Sequence, residues 1–188
     1  MPQAVMMSKE EQAMFEKYLD LPTTKTYYEY GSGGSTIVAA IKPNIEQIIT
    51  VESDQKYYNM LKESLQKVKR FKEKIIIKYV DVGAYDNHGY PPEFNFGLDY
   101  YTHIDKLEYV PDVILIDGRW RVECAFHVFR KATDDTIILI HDFEREEYKG
   151  IWACYDLQEV EGRLARIVKK KDEKIPDDAI FFFQFDPR

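Results

Sequence analysis

Glu29-Tyr30-Gly31-Ser32-Gly33-Gly34-Ser35 closes an aromatic, β-prone run (Thr26 to Tyr30) and opens a short apolar helix (Ser35 to Ile41) that Pro43 ends. Gly31, Gly33 and Gly34 let the chain leave a strand, turn tightly and enter a helix, with the backbone bare enough for a ligand to approach. A strand, glycine loop and helix in that order place the loop at the carboxyl edge of a sheet, where open α/β folds bind ligands.

Outward from this loop the same alternation continues. Gln47 to Glu52 reads as a buried strand, and Ser53 or Asp54 caps a long helix with Tyr57, Leu61, Leu65 and Val68 in one stripe. Lys74 to Val82 is a third strand, followed by a long irregular stretch, Gly83 to Tyr109. Val113 to Ile116 is a continuous apolar strand closed by Asp117-Gly118, and the next helix turns Trp120, Ala125, Phe126 and Phe129 inward. Thr136 to Ile140 is a fifth strand ending at His141-Asp142, with a helix carrying Tyr148, Trp152 and Tyr155 after it. On the amino-terminal side, Ser8 and Glu11 form a capping box for a helix with Met14, Phe15, Tyr18 and Leu19 on one face; Leu21-Pro22 stops it.

Strands that alternate with helices demand a parallel sheet with right-handed crossovers. Leu157 to Val168 and Ala179 to Phe185 both read as strands with only a loop between them, which demands an antiparallel pairing. The expectation is a seven-stranded sheet, mostly parallel, with helices on both faces. Strands near 26–30, 47–52, 75–81, 113–117 and 136–141 run parallel in it, and 180–185 runs antiparallel between neighbours. All of residues 1–188 belong to one domain, with 1–22 as a helical extension.

Composition narrows the class of function. A net charge of -7 argues against a nucleic-acid partner, because backbone binding needs a basic surface. The basic cluster Arg163, Arg166 and Lys169 to Lys171 adjoins Asp172-Glu173 and reads as a solvated strand end. No apolar run is long enough to span a membrane. MPQAVMMSKEEQ lacks the basic and apolar regions of a secretory signal. Cys124 and Cys154 are spaced for neither metal nor redox work and read as buried reduced thiols, so a cytoplasmic location is expected.

Three segments together, Glu29 to Ser35, Val51-Glu52-Ser53-Asp54 and Leu115-Ile116-Asp117-Gly118, make the chain resemble the class I S-adenosylmethionine-dependent methyltransferases over nearly its whole length. It looks like a small branch of that class with Asp117-Gly118-Arg119 after the fourth strand and His141-Asp142 after the fifth. The resemblance implies a Rossmann-like sheet and S-adenosylmethionine as cofactor. It assigns Glu29, Gly31, Ser32 and Gly33 to the cofactor loop, Glu52 to the ribose hydroxyls and Asp81 to the adenine amino group. Glu29 would repel a pyrophosphate but suits a cationic ligand, which separates this loop from a nicotinamide fingerprint.

A hydroxyl acceptor needs its proton removed by a placed base. Asp117, His141 and Asp142 end neighbouring strands; His141 is the first choice as base, with Asp117 or Asp142 orienting it. In catechol-type O-methyltransferases the two acids would hold a divalent metal with an Asn, but Phe143 stands at that position here. His141 as the replacement ligand favours transition metals over magnesium, and the expectation is no metal. Arg119 reads either as a donor to a substrate anion or as a partner of Glu123. Tyr85, His88 and Tyr90 in the long stretch are candidates for the acceptor pocket. These residues point to O-methylation of a small polar hydroxyl compound such as a sugar. The alternatives are a cofactor-binding, non-catalytic partner subunit and a nicotinamide-dependent oxidoreductase.

Overall fold

The structure, a computed structural model, describes residues 5–66, 73–83, 97–175, 183 and 186. Its strands are β1 (Thr26–Tyr30), β2 (Gln47–Glu52), β3 (Ile75–Tyr79), β4 (Val113–Ile116), β5 (Ile137–His141), β6 (Tyr155–Glu161) and β7 (Leu164–Lys169). They form one seven-stranded sheet in the order β3-β2-β1-β4-β5-β7-β6. β1 to β5 pair in parallel, and β7 lies antiparallel between β5 and β6. This is the expected Rossmann-like sheet with one antiparallel strand. After β1 the chain steps outward to β2 and β3, then returns to lay β4 on the other side of β1. That reversal opens a crevice at the carboxyl ends of β1 and β4.

Both faces of the sheet are covered, which the unbroken apolar runs Val113–Ile116 and Ile137–Ile140 require. On one face Tyr27, Ile48, Leu115 and Leu139 pack against α1 (Lys9–Leu19), α2 (Gly34–Ile41) and α3 (Gln55–Gln66). On the other, Tyr30, Ile114, Ile116 and Ile140 meet α4 (Leu98–Tyr101) and α5 (Arg121–Lys131) through Tyr100, Tyr101, Ala125 and Phe126. None of the helices described is long and apolar enough to cross a membrane.

Local signals fix the helix starts. Glu11 N–H donates to Ser8 Oγ at 3.1 Å while Ser8 N–H donates to Glu11 Oε2 at 2.7 Å, completing the capping box of α1. Asp54, rather than Ser53, caps α3 by accepting from the N–H groups of Lys56 and Tyr57 at 2.7 and 3.1 Å. Leu61 and Leu65 are buried as the stripe predicts, but Tyr57 is 46% exposed, and Val68 lies outside the described residues.

The end of the chain departs from the sequence reading. Leu157 to Val168 is two strands, not one, folded back around Gly162 and Arg163. Gly162 takes φ +55°, the left-handed conformation that a two-residue hairpin loop favours. The antiparallel strand lying between neighbours, expected at residues 180–185, is instead Leu164–Lys169, between β5 and β6. Of the expected strand Ala179 to Phe185, only Phe183 lies within the described residues; it is helical and packs edge-on against Phe126 at 5.9 Å. The helix expected around Tyr148, Trp152 and Tyr155 is a 3-10 turn, Glu146–Ala153, and Tyr155 already begins β6.

Candidate active site

At the crevice the ends of β1, β2 and β4 are pinned together. Gly31 N–H donates to Val51 O at 2.8 Å, and Asp117 N–H donates to Tyr30 O at 3.0 Å. Gly31 sits at φ +88°, and a Cβ there would lie 2.8 Å from the carbonyl oxygen of Asp117. At Gly118 a Cβ would lie 1.9 Å from the Tyr100 hydroxyl and 2.9 Å from Gly31 N. The two strand ends therefore touch backbone to backbone, and both positions require glycine.

A cavity of about 270 Å³ opens above this junction. Its walls are the loop Gly31 to Ser35, Glu52 to Asp54 with Tyr57, Asp117 to Arg119 with Tyr100, and Val5 to Met7 from the amino-terminal segment. Gly31, Ser32, Gly33, Glu52, Asp117 and Arg119 thus meet in one place, as the sequence suggested. Glu52 is buried at the end of β2, where its Oε2 accepts from the N–H and hydroxyl of Ser32 at 2.8 and 2.7 Å. Its Oε1 accepts from Ser53 N and Asp54 N, both at 2.8 Å. Burial pushes the Glu52 carboxyl above the usual range against these hydrogen bonds.

Glu29 has a different place from the one the sequence suggested. It does not line the cavity; it is fully buried beneath the loop, on the α2 side of the sheet. Its Oε2 accepts from Tyr27 Oη and Ser35 Oγ, each at 2.7 Å, and its Oε1 from Thr36 Oγ1. Burial raises its pKa to about 7 although these hydroxyls favour the anion. Glu29 anchors the first turn of α2, and hence the loop, from below. Asp81 is exposed, accepts from Gly83 N at 3.0 Å and is not among the residues lining the cavity. Tyr85, His88 and Tyr90 lie outside the described residues.

The expected catalytic trio is together, but it faces inward. His141 is 4% exposed and is not a cavity residue. Its Nδ1 lies 3.5 Å from both Asp117 Oδ1 and Asp142 Oδ1, and its Nε2 lies 3.5 Å from Glu11 Oε2. Burial alone would lower its pKa, but hydrogen bonding and charge from Asp117, then Asp142 and Glu11, raise it above 6.5. A ring whose protonated form is favoured in this way is less available as a general base than a free imidazole. Asp117 alone of the three reaches the cavity wall.

One ligand atom from each of Asp117, His141 and Asp142 lies within 4.8 Å of the others, a spacing that a cation would accept. The surrounding charge opposes one. Asp142 Oδ1 meets Arg163 Nη1 at 2.8 Å, while its Oδ2 meets Arg145 Nη2 at 2.7 Å and Arg121 Nη1 at 3.4 Å. Arg121 Nη2 also pairs with Asp117 Oδ1 at 3.1 Å. A divalent ion would have to displace guanidinium groups from both acids, so this donor set does not fit a metal.

Sequence reasoning missed Glu11, Arg121, Arg163, Tyr57 and Tyr100 as members of the site or its frame. Glu11 had announced only its capping role, yet it also accepts from Arg163 N at 2.7 Å, tying α1 to the β6–β7 hairpin beside His141. Arg121 could have been found from its place four residues after Asp117, the i,i+4 spacing at which a helix pairs opposite charges.

Neither a family model nor a curated protein matches the sequence. Solved structures do. A methyltransferase-like protein from Silicibacter pomeroyi DSS-3 is 27% identical with a TM-score of 0.82, each chain covering 99% of the other. An O-methyltransferase from Bacillus cereus in complex with SAH is 15% identical, with a TM-score of 0.59 over 87% of this chain and 82% of its own. A precorrin-6y C5,15-methyltransferase from Geobacter metallireducens GS-15 is 17% identical, with a TM-score of 0.53 over 89% of this chain and 92% of its own. The sheet order, the loop after β1 and the likeness to these structures agree: the chain has the fold of the class I S-adenosylmethionine-dependent methyltransferases, and over its full length it is similar to a methyltransferase-like protein.

Proposed function

We propose that the protein binds S-adenosylmethionine and methylates a hydroxyl oxygen of a small polar compound such as a sugar. The observation that carries this reading is the acidic cavity at the carboxyl ends of β1, β2 and β4. Glu52, Asp54 and Asp117 line it against the single basic side chain of Arg119 among the described residues, and the bare loop Gly31 to Gly34 forms its floor. Such a cavity favours a ligand bearing a cation and disfavours a pyrophosphate. Glu52 is the acceptor for ribose hydroxyls, and Ser32 occupies that carboxylate through its own hydroxyl. When bound, S-adenosylmethionine supplies a methyl group activated by its sulfonium.

The residues of this chain then have to place the acceptor and remove its proton. Asp117, on the cavity wall and fixed by Arg121 and His141, orients the hydroxyl and takes the proton. His141 acts behind it as a positioning residue. Tyr57, 46% exposed, gives the wall an aromatic surface that suits a sugar ring. Cys124 and Cys154 are both free and buried, consistent with a reducing cytoplasm. Neither a nucleic-acid partner nor a membrane is part of this reading.

One observation favours a non-catalytic partner subunit instead: His141 and Asp142 are fully engaged within the protein, which leaves Asp117 as the acidic group for an acceptor. Turnover decides between the two. Incubation with S-adenosylmethionine and a panel of hydroxyl compounds should release S-adenosylhomocysteine with at least one of them. Asp117→Asn should then lower turnover by roughly 10²–10⁴-fold while leaving cofactor affinity within about threefold. Cofactor binding without turnover on any acceptor would favour the partner-subunit reading.

A further inference from the structure

The paired acids at the ends of β4 and β5 are spaced for a cation, yet basic side chains already stand around them. Arg121, on the first turn of α5, is 7% exposed and touches both strand ends. Its Nη2 lies 3.1 Å from Asp117 Oδ1 and its Nη1 lies 3.4 Å from Asp142 Oδ2. The same guanidinium donates to backbone carbonyls, through Nε to Gly118 O at 3.0 Å and through Nη1 to His141 O. The ring of Tyr148 lies beneath it, 5.1 Å from Cζ. Asp142 takes φ +55°, an uncommon conformation for a side-chain-bearing residue, and three arginines hold its carboxylate there.

We propose that Arg121 is a positioning residue, a resident cation that bridges Asp117 and Asp142 and does the work a divalent metal would otherwise do between them. A guanidinium suits this task because it keeps its charge at every pH the protein meets and presents several donors in one plane. It can therefore meet two carboxylates and two carbonyls at once, a set that a metal would coordinate as oxygen ligands. With Arg121 in place, Asp117 is held at the cavity wall without an ion that could be lost to a chelator or exchanged. The role in catalysis rests on the reading of Asp117 as the acceptor-orienting group, but the charge substitution itself does not.

Mn²⁺ titration followed by electron paramagnetic resonance tests it without any turnover. The wild-type protein should bind no Mn²⁺ stoichiometrically at millimolar metal. Arg121→Met should create one Mn²⁺ site, and adding Asp142→Asn should abolish it; Arg121→Lys, which keeps a positive charge, should stay metal-blind. Calorimetry with S-adenosylmethionine on the same samples separates the two readings, since a wild type that binds no cofactor would fail the methyltransferase reading and leave the Mn²⁺ result standing. Stoichiometric Mn²⁺ binding by the wild type that Asp142→Asn removes would overturn the proposal. So would a folded Arg121→Met that stays metal-blind. Should Arg121→Met not fold, the wild-type titration still decides, and Arg163→Met supplies a second variant. Arg163 is half-exposed and its Nη1 lies 2.8 Å from Asp142 Oδ1, so its loss should give a weak Mn²⁺ signal, and none would count against the proposal.

Discussion

Glu11 Oε2 and His141 Nε2 lie 3.5 Å apart, so the first helix of the chain and the end of β5 share a buried charge. The contact has a consequence for stability. The folded protein holds on His141 a proton that the unfolded chain releases near pH 6.5, because Asp117, Asp142 and Glu11 outweigh the cost of burial. This contribution is fully present below pH 6.5 and is lost as pH rises through the higher folded-state value. His141→Gln should flatten the decline in the urea midpoint above about pH 6.5. An unchanged slope in that variant would assign the decline to another group.

Glu29 gives a second pH signature in a lower window. Its carboxyl titrates near 4.5 when unfolded and at about 7 when folded, so the folded state binds the extra proton between those values. Stability should therefore fall as pH rises from about 4.5 to 7, by on the order of 3 kcal/mol if no other group compensates. Glu29→Gln should remove that slope and be at least as stable as the wild type at pH 8. Denaturation with urea at several pH values measures both, and a steeper slope in Glu29→Gln would contradict the assignment.

Much of this arrangement is legible in the sequence, for reasons that are local. β1, β2 and the start of β4 lie where their apolar runs place them, because strands covered on both faces read as unbroken hydrophobic stretches. The capping box at Ser8 and Glu11 is complete within four residues and so appears as written. The β6–β7 turn is less legible, since Gly162 sits between charged residues in a run that otherwise reads as one strand. Glu29 and His141 read as ligand-facing from their places beside a motif. Which way each points depends on α2 and α1 packing over them, and those contacts span distant parts of the chain. The inward turn of His141 depends on Glu11, 130 residues earlier, and no spacing rule reports that pairing.

Gly162 tests the corrected chain ending. Its φ of +55° is strained for any side chain, and a Cβ there would lie 2.5 Å from Glu11 Oε1. Gly162→Ala should therefore cost about 1–2 kcal/mol for the backbone alone, and more if Glu11 must move. Because Glu11 leads to His141, the variant should also weaken the pH dependence above 6.5. Equilibrium unfolding checks the first expectation; a neutral or stabilising Gly162→Ala would place the turn elsewhere.

Cofactor binding is the most direct test of the proposed function. Isothermal titration of the wild-type protein with S-adenosylmethionine, and separately with NAD, asks which ligand the cavity beside Gly31 to Ser35 accepts. Gly33 lines that cavity with no side chain, so Gly33→Val should fill the space and abolish binding while the protein stays folded by circular dichroism. A methyltransferase cavity should give one-to-one binding of S-adenosylmethionine, no heat with NAD, and loss of the first in Gly33→Val. Binding of NAD in place of S-adenosylmethionine, or undiminished S-adenosylmethionine affinity in Gly33→Val, would contradict it.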